Sequence, residues 1–200
     1  EAPGGPPGKQ ADTMGWNAQP TRRVTFDKVR GPVANRLGAE GQGFAIAMEG
    51  LDGGRINIAT CSIGTAQQAL EEATAYVQER KQFDTAIADF QATQFKLADM
   101  LTELVAARQM VRLAASKLDN KDAQASTYCA MAKRFATDAG FNVCNDALQL
   151  YGGYGYIKEY PMERHVRDTR VHQILEGTNE IMRVIVSRKM LMDGALEVIK

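Results

Sequence analysis

Ile56, Ala59, Ile63, Ala66, Leu70, Ala73 and Val77 step by three and four residues along one face. The stripe runs for about six turns of an α-helix. No other feature of the 200 residues constrains the fold as strongly. A helix of that length draws its stability from laying its apolar face against partners, and the chain supplies them. Gln94 to Leu118 repeats the step with Leu97, Leu101, Leu104, Val111 and Leu118. Asp122 to Leu150 continues it with Tyr128, Ala132, Phe135, Ala139, Val143, Ala147 and Leu150, and a last helix from about Thr178 carries Ile181, Val184, Ile185 and Leu191. Four long amphipathic helices with modest connections predict an antiparallel four-helix bundle, and Ala-rich seams let the axes approach closely. The expected class is mainly α.

The front of the chain does not fit that pattern. "EAPGGPPGKQAD" is Pro/Gly-rich and reads as loop or linker. In "TRRVTFDKVR", Val24 and Phe26 alternate with Thr25 and Asp27, which predicts a strand over Arg23–Lys28, ended by Pro32. One strand cannot bury its own face. It needs partners that this sequence does not supply, the first hint of a partial protein.

Charge narrows the partners. Lys+Arg and Asp+Glu are both 24, for a formal net charge of +0. A balanced chain sets up no long-range field for nucleic acid or an anionic membrane, so neither is expected. The most apolar run near the end, "IMRVIVSRKMLM", is broken by Arg183, Arg188 and Lys189 and is no membrane span. No signal or transit pattern is visible at Glu1. Cys61, Cys129 and Cys144 lack metal-ligand spacing and sit in apolar helical stretches, so buried free thiols are expected.

Chemistry has room at the breaks between helices, over 79–91, 149–161 and 167–180, and at Gly53-Gly54-Arg55. Two glycines inside a helical pattern cost about 1 kcal/mol each against alanine, so something should approach the backbone there. Gly152-Gly153-Tyr154-Gly155 follows a helix rather than a strand, and reads as a helix C-cap turn before it reads as a phosphate cradle. "KEYPMERHVRDTRVHQ" mixes charges and reads as ion-paired. His165 and His172 have no nucleophilic Ser or Cys close in sequence, which argues against a hydrolase triad. Glu176 follows the strand-like run Ile174-Leu175 and precedes Gly177. By position alone it is a surface-loop acid. However, Thr178 is a reasonable N-cap for the last helix, whose free N–H groups could hold an anion or a carbonyl oxygen beside that carboxylate. A carboxylate in apolar surroundings makes a plausible general base.

"LGAEGQGF", "GGRINIA", "ERKQF", "ADFQATQFKLADM", "LQLYGGYGY" and "RDTRVHQILEGTNEIMR" together resemble the acyl-CoA dehydrogenases, in the order and spacing of that family's second half. "GWNAQPTR", "VANRLGAEGQGF" and "GGRINIATCS" are similar to members acting on short branched acyl-CoA. The resemblance implies a helical domain over 37–200, preceded over 1–36 by the tail of the family's β-domain. It implies an FAD enzyme that desaturates an acyl-CoA thioester between Cα and Cβ. A carboxylate removes the α-proton, and the thioester carbonyl is held by the flavin ribityl hydroxyl and the base residue's own backbone N–H. The electrons then pass to an electron-transfer flavoprotein. A homotetramer in a bacterial cytoplasm or a mitochondrial matrix is implied as well.

Residue by residue, Glu176 matches the base. Asp52, Gly53, Gly54 and Arg55 match the substrate side, as does Arg188 on the last helix, whose place on the bundle-facing stripe also suits an internal ion pair. Arg80 matches a cation that reaches FAD phosphates, usually across a subunit boundary, and is otherwise an ordinary helix-end cation. Phe90 and Gln91 match a flavin contact segment, Gln149, Leu150, Tyr151, Gly152 and Gly153 the loop approaching FAD, and Thr178, Asn179 and Glu180 the helix start that meets it. Some family members carry the base immediately before the arginine matched by Arg55; here that position is Gly54, which cannot take a proton. Two rivals stay open, a straight-chain acyl-CoA dehydrogenase and a non-catalytic helical assembly module.

Overall fold

A computed structural model describes residues 8–194. Residues 1–7 of the Pro/Gly-rich opening lie outside the described residues. The long helices are α1 (Gly43–Glu79), α2 (Gln91–Asp119), α3 (Ala125–Tyr151) and α6 (Asn179–Asp193), with two shorter helices, α4 (Gly153–Tyr156) and α5 (Met162–Arg170), between the last two. A two-stranded hairpin, β1 (Lys81–Gln82) with β2 (Thr85–Ala86), joins α1 to α2. Its Phe83-Asp84 turn has φ of 51° and 60° at the two central residues, the primed turn that matches strand twist.

The core lies where α1, α2 and α3 meet. Ala59, Ala66, Ala73, Leu104, Ala132 and Val143 are buried together, as the stripes predicted, and Ala107 and Ala114 join them from outside the α2 stripe. Small residues set the α1–α3 spacing: a β-carbon on Gly140 would sit 3.0 Å from Ser62 Cβ. Two stripes are displaced. Leu101 is exposed and Met100 is buried in its place. On α6, Ile181, Val184 and Leu191 are exposed, while Met182 is buried against the rest of the chain. The apolar stripe of α6 therefore faces away from the core of its own chain.

The strand expected over Arg23–Lys28 does not form. Among the described residues the pairing there is one isolated bridge, Gln10 with Arg22, and the Gly8 N–H donating to the Arg23 carbonyl at 2.9 Å, while Val24 and Phe26 are exposed. This segment has no partner strand among the described residues. The run before Glu176 is not a strand either: Val171–Gln173 is a 3₁₀ turn that continues α5. Cys129 and Cys144 are buried, with burial raising their thiols to about 11 and about 12, but Cys61 is exposed. No helix among the described residues is long and apolar enough to cross a membrane.

The front segment is nevertheless anchored. Trp16 donates its backbone N–H to Asp168 Oδ1 at 2.6 Å and its indole N–H to His172 Nε2 at 3.0 Å. An indole nitrogen only donates, so Nε2 accepts and the proton sits on Nδ1. That Nδ1–H therefore donates to Ser62 Oγ, 2.7 Å away. Sequence distance hid this Ser–His pair. It is not a hydrolase dyad, because the serine accepts and is fully buried. Burial drives His172 down from 6.5 to about 4, with Asp168 pulling upward and Lys133 pushing down.

The sign of the pH effect follows. Between those values the unfolded chain binds a proton that the folded chain refuses, so stability falls as pH drops through the window. We expect a loss of about 2 kcal/mol between pH 7 and pH 5 from this residue. Urea midpoints at the two pH values should show it, and His172→Gln should flatten the difference. An unchanged pH difference in the variant would show that His172 is protonated as easily folded as unfolded.

Candidate active site

Glu176 sits in the turn between the 3₁₀ segment and α6. Its φ is +56° and that of Gly177 is +94°. A left-handed backbone costs a non-glycine residue about 1–2 kcal/mol. This turn directs the carboxylate onto α1: a β-carbon on Gly54 would collide with Glu176 Oε2 and lie 2.7 Å from its Cδ. The close approach expected at the glycine pair is thus made by Glu176, and at Gly54 alone, because a β-carbon on Gly53 meets nothing. Among the described residues, nothing accepts a hydrogen bond from the Glu176 backbone N–H.

Arg55 follows directly. It is buried, and its Nη1 donates to Asp52 Oδ1 at 2.6 Å, while Ser126 Oγ donates to the other Asp52 oxygen. Arg55 Nε is buried without a hydrogen-bond partner. Asp52, Gly54, Arg55 and Glu176 therefore converge. Arg188 does not join them; it lies exposed in the second half of α6, not on a buried stripe, and forms no ion pair among the described residues.

Thr178 caps α6, its Oγ1 accepting from Ile181 N at 3.4 Å. Glu180 is exposed, and its own backbone N–H, then Thr178, hold its carboxyl below the ordinary range. Asn179 behaves differently from expectation. It is 3% exposed, and its amide is used inward, donating to Thr137 Oγ1 at 2.9 Å and Asp138 Oδ1 at 2.7 Å while accepting from Lys133 Nζ at 2.9 Å. Its side chain is therefore committed to the core and leaves only its backbone for a ligand.

The second cluster lies at the other end of α1. Arg80, Gln149, Leu150, Tyr151, Gly152 and Gly153 line one cleft of about 680 Å³. The Arg80 guanidinium sits 5.5 Å from the centroid of the Tyr154 ring. Gly152 is indeed the C-cap of α3, with φ +58°, so the cap reading holds and the same turn forms the cleft wall. Phe90 and Gln91 begin α2 just after Ile87, which also lines the cleft. At 1.5 Å per residue, Gly54 and Arg80 are about 39 Å apart along α1. The structure brings the expected residues together as two groups, not one.

Two groups of buried polar residues escaped sequence reasoning. Ser62 and His172 are one. The other is Lys133, wholly buried on α3. Its only sequence signal was its register, with Cys129 and Thr137 one turn either side and Ala136 between, all buried.

A convergent carboxylate, glycine and arginine at one end of a helical domain, with a cationic cleft at the other, define a class that comparison identifies. A family model for the acyl-CoA dehydrogenase C-terminal domain matches residues 41–191, and the chain belongs to that family. Mitochondrial isobutyryl-CoA dehydrogenase of Dictyostelium discoideum is 54% identical over 193 residues, covering 96% of this chain and 46% of that one. Subunit CarC of the caffeyl-CoA reductase–Etf complex of Acetobacterium woodii is 46% identical, over 92% of this chain and 48% of its own. The structure of butyryl-CoA dehydrogenase from Megasphaera elsdenii superposes with a TM-score of 0.92 at 43% identity, covering 95% of this chain and 49% of that one. The chain spans about half the length of the relatives it matches.

Proposed function

We propose that this domain supplies the base and part of the flavin site of an FAD-dependent acyl-CoA dehydrogenase acting on a short branched thioester of the isobutyryl type. The observation that carries the reading is the Glu176 carboxylate lying on Gly54, where no side chain separates it from a ligand. Glu176 would take the α-proton. Its unpartnered backbone N–H would donate to the thioester carbonyl as negative charge develops there, which is where donors lower such barriers most. Arg55, with its free buried Nε, would hold the substrate side. The bound flavin would supply the acceptor for the β-hydrogen.

The fit of FAD rests on the second cleft. A cation beside an aromatic ring, with Gly152 turning the backbone of the cleft wall, suits a phosphate-bearing ligand held by Arg80. Because that cleft stands about 39 Å from Gly54 along α1, Arg80 would serve a site completed by another subunit, in keeping with a homotetramer. Residues 1–36 would be the tail of a preceding β-domain, and an electron-transfer flavoprotein would accept the electrons; CarC, the relative named for its Etf complex, supports that partner.

In the full-length enzyme, Arg80→Ala should weaken FAD binding by about 1.5–3 kcal/mol, the worth of a hydrogen bond to a charged group. FAD titration of the apoenzyme reads this directly; an unchanged affinity would make Arg80 a helix-end cation. The function itself is tested by the visible spectrum. A flavin band that bleaches with isobutyryl-CoA faster than with butyryl-CoA supports the proposal, the reverse order favours a straight-chain enzyme, and absence of flavin favours an assembly module.

A further inference from the structure

Lys133 is 0% exposed and is the largest side chain so enclosed among the described residues. Its ammonium reaches from α3 to the Gly177 carbonyl and to Asn179 Oδ1, at 2.9 Å each. Both acceptors are neutral. Burial lowers its pKa to about 8, while Asp138, Glu180 and Glu176 attract the charge from outside contact distance and Arg55 repels it. Enclosing a cation costs several kcal/mol even after relaxation, and a methionine of similar volume would fill the space without that cost. Packing alone does not explain a lysine here.

The turn it touches does. Glu176 and Gly177 are both left-handed, and such backbone persists only where its surroundings over-determine it. Among the described residues, no other hydrogen bond ties the backbone of 175–177 to another long helix. The clamp thus falls next to the residue whose carboxylate must lie on Gly54. We propose that Lys133 is a positioning residue for the base, its ammonium clamping the Gly177 carbonyl so that the Glu176 carboxylate is aimed at the acyl-CoA α-carbon over Gly54. This rests on the functional reading above. Lys133 touches neither substrate nor flavin in this account; it acts through the turn.

The test is Lys133→Met in the full-length holoenzyme, with isobutyryl-CoA as the probe. Flavin content and melting temperature should be retained and KM should change by less than about threefold. Flavin reduction at saturating substrate should fall about ten- to hundredfold, the scale of a misplacement near 1 Å. The α-deuterium isotope effect on that step should rise, a change that a loss of packing alone would not produce. If Lys133→Met loses flavin, Lys133→Leu, which likewise offers no donor, is read on the same split. Reduction within about twofold of the parent in either folded variant overturns the clamp, as does a loss confined to KM. Failure of both variants to hold flavin also overturns it, since the lysine would then support the fold rather than the base. Glu176→Gln in the same assay separates the two readings. If it reduces flavin normally, the functional proposal fails; if it is slow while Lys133→Met is normal, only the clamp fails.

Discussion

Glu176→Gln, made in the full-length enzyme, is expected to cut flavin reduction by acyl-CoA about a hundredfold or more, the range typical of a lost general base. The amide has nearly the shape of the carboxylate, so it fits over Gly54, where a β-carbon would already collide with the Glu176 side chain. The Thr178 cap and the Arg80 cleft are untouched, so FAD and thioester should bind as before. Only the basic oxygen is lost. Rapid-mixing absorbance at saturating substrate reads the step, with flavin content as the control. Near-normal reduction would return Glu176 to the surface-loop acid that its position first suggested.

Gly54→Ala is expected to separate stability from rate. Inside a helix, alanine is favoured over glycine by about 1 kcal/mol, so α1 should tolerate or welcome the change. However, the new β-carbon falls on the carboxyl group, 2.7 Å from Glu176 Cδ. The flexible acid must swing aside, and a shift of about 1 Å in a reacting group can cost about a hundredfold. A melting temperature equal or higher, with reduction slowed by that order, is the expected pair of results. Unchanged reduction would mean that the carboxylate works from elsewhere. The reciprocal change, Gly54→Glu with Glu176→Gly, should recover part of the rate, because the two positions are in contact across the same space.

Much of this was readable before any coordinates. The stripes of α1 and α3 are long and regular, and the helices that bear them pack against each other, so period and burial agree at Ala59, Ala66, Ala73, Ala132 and Val143. The α6 stripe was equally regular but misleading. Periodicity shows that a face is apolar, not what covers it, and Ile181, Val184 and Leu191 stay exposed among the described residues. At Arg23–Lys28 the alternation was likewise read correctly as a pattern, but no partner strand pairs it among the described residues. The short helix α5 was hidden by its polarity: only Met162 and Thr169 are buried on it.

At the site, glycine inside a helix demanded a close neighbour, but it was the resemblance that paired Gly54 with Glu176. Resemblance singled out Arg80 and Gln149–Gly153 separately, and the fold put them on one cleft. Lys133 with Gly177, and Ser62 with His172, join positions 44 and 110 residues apart through single hydrogen bonds. No local pattern encodes such pairs. Asn179 shows the opposite case: the resemblance placed it at a flavin contact, and the fold commits its side-chain amide to the core, leaving its backbone.

The central claim is that Glu176 removes the α-proton, and that step can be isolated from oxidation. An acyl-CoA with sulfur in place of the β-carbon has no β-hydrogen to give up as hydride, yet its α-protons remain exchangeable. Incubation with the full-length enzyme in D₂O, followed by mass spectrometry of the thioester, counts α-deuterium with time. The account predicts rapid exchange with the parent enzyme, almost none with Glu176→Gln, and partial return with Gly54→Glu/Glu176→Gly. Exchange at the parent rate in Glu176→Gln would contradict it.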